Sequence, residues 1–196
     1  MTRFWLDTLA EFIADFRLET LKPATVEQTR YIILDTIGAI VGGAAEPEMQ
    51  ALTAKLTVSP VGEASVMGTD KAAVSAAAAF LNGTAGTFLE MDEGNRFAKG
   101  HPSIHALPAV WALAEIKGLS GKEAMEALIL GYEVGARIGI AASLRPDMHP
   151  HGTWGTVGAA AAVRRRSGRK CAYRALPTAR PPPTAARWFR SALARR

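Results

Sequence analysis

Ser120-Gly-Lys-Glu-Ala-Met-Glu-Ala-Leu-Ile-Leu-Gly-Tyr-Glu-Val-Gly-Ala-Arg-Ile138 opens on a capping box, Ser120 with Glu123, and then carries Met125, Leu128, Ile129, Tyr132, Val134 and Ile138. Apolar residues returning every three or four positions mark an α-helix with one buried face. The same reading repeats on both sides. Upstream, Pro102 is a good first helical residue and predicts a helix to about Ile116. Before it, Ala72–Leu81 and Gly83–Leu89 read as alanine-rich helical segments suited to close packing. Residues 46–57 predict a short amphipathic helix, and Ser65-Val-Met-Gly-Thr69 a strand or turn. Tyr31-Ile-Ile-Leu-Asp-Thr-Ile-Gly-Ala-Ile-Val41 is apolar nearly all round, so burial is expected. That helix is expected to start at a capping box, Thr25 to Gln28, and to end at Gly42-Gly43. Asp35 inside it is then hydrogen-bonded to a neighbouring helix or part of a site. Residues 2–19 carry Phe4, Trp5, Leu9, Phe12, Ile13 and Phe16 at helical spacing. Downstream, a last helix should start near Thr153 or Thr156 and run into Gly158-Ala-Ala-Ala-Ala-Val163. Strand signals are almost absent, and the fold class that follows is all-α.

The net charge of +5 over 196 residues conceals a division. Residues 1–163 hold 12 Lys+Arg and 18 Asp+Glu, whereas residues 164–196 hold 11 Lys+Arg and no acid. The tail, Arg164-Arg-Arg-Ser-Gly-Arg-Lys-Cys and onward through Pro181-Pro-Pro183, has no helical period. It cuts an alanine-rich helix in mid-course. Two readings stand: a basic arm for nucleic acid, or a disordered or frame-shifted stretch never selected to fold. The tail lacks the interleaved aromatics of a binding arm, and the acidic preceding part would repel phosphates, which argues against nucleic acid. The single cysteine, Cys171, excludes an internal disulfide and an all-cysteine metal or iron–sulfur site. No segment approaches the roughly 20 apolar residues of a membrane span, and the N-terminus lacks a signal-peptide pattern. A cytoplasmic protein with no membrane partner is the expectation.

All four histidines fall in two breaks between helices. The first, Leu89-Glu-Met-Asp-Glu-Gly-Asn-Arg-Phe-Ala-Lys-Gly-His-Pro-Ser-Ile-His105, mixes acids, bases and imidazoles for which a folding core has no use. The second is His149-Pro-His-Gly-Thr-Trp-Gly-Thr-Val-Gly158. Histidine titrates near working pH, so both loops are candidate sites of proton transfer. His101 precedes a helix start, where free N–H groups favour a bound carboxylate and suit a neutral imidazole acting as base or donor. Arg96 and Lys99 either pair with substrate carboxylates or are solvated loop charges. Gly152, Gly155 and Gly158 match neither the dinucleotide nor the phosphate-loop pattern. They permit close helix packing, and Gly152 is a candidate for offering N–H groups to an anion. His101 and His105 have the i, i+4 spacing of a helical metal pair, but Pro102 stands where the zinc-protease motif needs glutamate. No metal and no cofactor is expected, and His105 reads as a packed residue or as one that supports a site residue.

Several motifs, taken in order and spacing, resemble the MmgE/PrpD family: Tyr31–Gly38, Leu81-Asn-Gly-Thr-Ala85, Met91-Asp92 to Gly100-His-Pro-Ser103, Gly121-Lys-Glu123 to Arg137, and His149 to Ala162. The family includes 2-methylcitrate dehydratase, cis-aconitate decarboxylase and iminodisuccinate epimerase. The resemblance spans residues 5 to 163, the first part of a helical domain. It implies a homodimer of two-domain subunits that needs no metal or nucleotide and closes an α/β lid with substrate-binding lysines over the site. It implies further a small polycarboxylate substrate of the 2-methylcitrate kind, as in propionate metabolism, with Asp92, His101 and His149 catalytic. Asn95, Arg96, Lys99, His151 and Gly152 fall at substrate-binding positions; Asn95 or Arg96 stands where some members have threonine, and His151 where threonine is often found. A capping or core role for His149 stays open. The function expected is that of a truncated, poorly active or inactive lyase, dehydratase or isomerase. Its rivals are an inactive helical remnant or dimerisation module, and a small basic nucleic-acid-binding protein.

Overall fold

The computed structural model describes residues 5–57 and 63–164, so the readings of the basic tail fall almost wholly outside the described residues. Seven α-helices are described: α1 (Trp5–Asp15), α2 (Pro23–Ala44), α3 (Pro47–Leu56), α4 (Ser75–Phe88), α5 (Pro102–Lys117), α6 (Gly121–Ala141) and α7 (Trp154–Arg164). The only sheet among the described residues pairs β1 (Ala64–Ser65) with β2 (Ala72–Ala73), Ala64 opposite Ala73. The chain is all-α, and no described helix is long and apolar enough to cross a membrane.

The hub is α5, which packs against α2 and α4 and against α6 and α7. Contact with four helices buries Ile104, Ala106, Leu107, Val110 and Ala112 around its circumference, so it shows no single apolar face. The larger core joins α2, α4 and α5 through Ile40, Ala78, Leu81, Leu107 and Val110. A second core seats Leu9 and Phe16 on Ile129, Leu130 and Val134 of α6. Glycine sets the close approach of α6 on α7. A Cβ on Gly131 would lie 2.8 Å from the Gly158 carbonyl oxygen, and one on Gly158 would lie 2.8 Å from that of Gly131. The close-packing role expected of Gly158 is thus borne out.

The capping box at Ser120 and Glu123 is present, with both reciprocal hydrogen bonds. The one expected at Thr25 is not. Pro23, with its fixed φ, starts α2 two residues earlier behind Lys22, leaving Thr25 inside the first turn without a capping bond. Nor is α2 buried all round. It packs through Thr36, Ala39, Ile40 and Gly43, while Tyr31, Leu34 and Val41 are 61%, 69% and 45% exposed. Asp35 is exposed with them, without a hydrogen bond to a neighbouring helix among the described residues, and its charge bears on Glu93. Of the two polar side chains that α2 buries, Thr29 and Thr36, the second reaches another helix: its Oγ1 lies 2.8 Å from Ser103 Oγ.

Two further boundaries moved for tertiary reasons. The N-terminal helix stops at Asp15 rather than continuing to residue 19, because Arg17 is extended and Leu18 N–H donates to Glu126 Oε2 at 2.7 Å. The two alanine-rich segments form one helix, α4, through Asn82-Gly83. Buried Asn82 accepts from Met67 N–H and donates to the Ser65 carbonyl, tying that helix to the β1 turn.

Candidate active site

Both histidine-bearing loops meet at the N-terminus of α5, and glycine again decides how. A Cβ on Gly100 would sit 2.8 Å from Trp154 Cζ2 and 3.0 Å from Pro150, so the first loop lies directly on the second. Trp154 is the pin. Its indole is buried against Ala98 and Ala136, and fits only because Gly139 of α6 lacks a Cβ, which would come within 2.9 Å of the ring.

His101 caps α5 by position, without a side-chain capping bond. Its Nδ1 lies 3.0 Å from the Glu93 carbonyl oxygen and 3.3 Å from that of Asp92. Carbonyl oxygens only accept, so Nδ1 carries the hydrogen, which in the neutral ring leaves the lone pair on Nε2. Asp92 Oδ2 is also 3.3 Å from Nδ1, but the hydrogen is committed to the carbonyls. That oxygen is buried with no hydrogen-bond partner, and the Asp92 side chain is only 3% exposed. Burial raises the Asp92 pKa, with nearby His101 opposing.

Glu93 was not among the expected site residues, yet it holds the loop. Oε1 accepts from Tyr132 Oη–H at 2.7 Å and Oε2 from Ser103 N–H at 3.2 Å. Glu93 thus brings a carboxyl group of the chain itself to the start of α5, where it accepts from one of the helix's first N–H groups. Burial pushes the Glu93 carboxyl up, and burial together with Glu93 pushes Tyr132 up. An acid beside Asp92 was the only sequence sign of this role. Tyr132 read simply as one residue of the α6 apolar face.

Asn95 is a brace. Oδ1 accepts from Phe97 and Ala98 N–H, Nδ2 donates to Tyr132 Oη, and the backbone pairs with Gly100. Its side-chain amide thus holds the loop's own backbone and ties it to α6. Arg96 is exposed and stacks over Phe97, 4.9 Å from the ring centroid. Lys99 is exposed in a left-handed conformation, φ 55. Both sit on the rim and touch no imidazole.

In the second loop His151 is central, with ring centroids 4.4 Å from His149, 4.5 Å from His105 and 6.0 Å from His101. His149 is exposed, and its Nδ1 accepts from His151 N–H at 3.3 Å, a local capping bond. His105 is packed, as expected. Trp154 meets it edge-on at 5.3 Å, and a Cβ on Gly155 would strike its ring at 2.6 Å. Burial, then neighbouring His151, brings the His105 pKa down to about 4. Burial and His149 lower that of His151. Gly152 is exposed with open space about it, so it serves no packing role. Among the described residues no three or more His, Cys, Asp or Glu are placed to hold a metal ion. A separate cavity of about 350 Å³ between α2 and α6 shares only Tyr132 with this network.

The fold and site together define a helical domain carrying a buried acid and an imidazole cluster at a helix start, the equipment of proton-transfer chemistry. The chain belongs to the MmgE/PrpD family: the family's N-terminal domain matches residues 7–169. A cis-aconitate decarboxylase-like protein of Aspergillus oryzae is 28% identical over 141 residues, 68% of this chain and 29% of that protein. Cis-aconitate decarboxylase of Aspergillus terreus is 29% identical over 137 residues, 67% of this chain and 28% of that protein. The chain thus spans under a third of the length of these relatives.

Proposed function

We propose that this chain carries the helical-domain share of a lyase or isomerase site for a small polycarboxylate of the 2-methylcitrate or cis-aconitate kind. The observation that carries the reading is the fixed state of His101. With Nδ1–H held by two carbonyls, the neutral ring turns its Nε2 lone pair to the task of taking a proton from carbon beside a carboxylate. Buried Asp92 Oδ2 is an acceptor for a substrate hydroxyl, and the second loop supplies further imidazole. Arg96 and Lys99 on the rim are the cations this loop offers to carboxylates. The chain is expected to act as a homodimer, with the exposed stripe Tyr31, Leu34 and Val41 as its contact.

The test is titration of the purified chain with citrate and cis-aconitate, followed through the imidazole ring resonances. The expected result is a saturable shift at His101 that His101→Ala abolishes. Imidazole signals unmoved at millimolar ligand would overturn the reading and favour a helical module without a site. Turnover of 2-methylcitrate by the 196-residue chain alone is expected to be slight. Each 1.36 kcal/mol of missing transition-state stabilisation is tenfold in rate, and the family resemblance places further cations on a lid.

A further inference from the structure

His105 and His151 touch in the middle of the cluster, and the residues around them explain why. His105 lies one turn along α5 from His101, on the same face. Its ring is confined by the Trp154 indole on one side and by the missing Cβ of Gly155 on another. Against the ring so held stands His151, whose Nδ1 is 3.1 Å from His105 Nε2 and 3.4 Å from its Nδ1. A hydrogen bond between two imidazoles needs one N–H and one lone pair. The contact therefore couples the tautomers of the two rings: whichever nitrogen of the pair bears the hydrogen, the facing one must offer its lone pair. In both rings Nδ1 is the nitrogen engaged, which leaves the two Nε2 atoms for a ligand.

We propose that His105 is a positioning residue which locks His151 in one orientation and one tautomer, making His151 the second-loop imidazole that works beside His101. The exposed His149, its Nδ1 spent on the backbone of its own turn, is then a loop-shaping residue. This rests on the proton-transfer reading above. The titratable groups bearing on His151 are Glu90 and Asp92 of the first loop, His101 of α5, and His149 of its own loop. Burial keeps both members of the pair neutral near pH 7, so one supplies the hydrogen and the other the lone pair.

The experiment is a long-range proton–nitrogen correlation of the imidazoles in the full chain at pH 7.5, repeated on His105→Phe, His105→Gln and His149→Ala. Phenylalanine keeps a ring on Trp154 and Gly155 but removes both nitrogens, and glutamine restores a donor and an acceptor. Wild type should show His151 as a single tautomer. In His105→Phe the two His151 nitrogen shifts should converge as the tautomers mix; His105→Gln should restore a single form, and His149→Ala should leave it. A merely structural role for His105 would change the melting temperature without moving the His151 nitrogen shifts. Unchanged shifts in a folded His105→Phe, or mixed tautomers in wild type, would overturn the proposal. Addition of citrate separates the two readings. If His101 responds while His151 is indifferent to His105, only this inference falls; if no imidazole responds, the proposed function falls.

Discussion

Burial of His105 gives the site a pH dependence whose sign can be worked out. Its folded pKa of about 4 lies below its ordinary value of 6.5, so the unfolded chain binds a proton before the folded one does. The stability from a neutral His105 is complete above pH 6.5 and is lost as pH falls toward 4. Raised carboxyl pKa values at Asp92 and Glu93 act in the opposite sense, because the folded state then takes protons more readily as pH falls. Comparison with a variant isolates the histidine. Melting temperatures measured from pH 7 to 4 should fall less for His105→Gln than for wild type; parallel curves would show that His105 titrates normally. Tyr132→Phe should cost about 1–3 kcal/mol in urea unfolding, since it leaves a buried Glu93 oxygen without its donor. Glu93→Gln should be milder on stability, because an amide still accepts from Ser103 N–H.

Elements meet in this domain where side chains are missing. Gly131→Ala and Gly158→Ala each place a methyl group within 2.8 Å of a carbonyl oxygen of the facing helix, which gives little. Each should destabilise by about 1–3 kcal/mol, read as a lowered denaturation midpoint at unchanged slope. Gly155→Ala differs in kind, because its Cβ would meet the His105 ring rather than backbone. It should displace that ring and shift the His105 and His151 resonances, with a smaller loss of stability. Gly152→Ala, with open space around it, should change stability by under about 0.5 kcal/mol.

For the whole molecule the exposed apolar surface makes a prediction of its own. Tyr31, Leu34 and Val41 form one stripe on α2, and Phe80 and Phe88 of α4 are 56% and 40% exposed. Surface of this kind favours association. Light scattering at tens of micromolar should report a dimer or larger species, and Leu34→Glu should shift it toward monomer; a monomeric wild type would contradict this. The coding DNA offers a separate check on the tail. Read in the other two frames after about codon 163, it is expected to continue the alanine-rich helix of α7, and the absence of any such continuation would favour a tail selected as it stands.

The helices themselves were legible in the sequence, because apolar period, the Ser120 box and Pro102 at a helix start are local features with local causes. So was the concentration of imidazole in two loops, since four histidines in two breaks can be counted without a fold. What lay beyond the sequence were distances between segments far apart in the chain. Asp35 and Thr36 are neighbours on α2, and only the packing of α4 and α5 decides that Thr36 is buried against Ser103 while Asp35 faces solvent. The convergence of the loops depends on Gly100, Gly139 and Gly155 leaving space around Trp154 and His105, three absences of a Cβ that matter only once the helices are in place. Sequence determined the helical class, the family and the chemistry at hand, because these follow from local period and residue type. Tertiary structure alone decided that His105 holds His151 and that Glu93 occupies the start of α5, because a hydrogen bond is set by position in space to within a few tenths of an ångström.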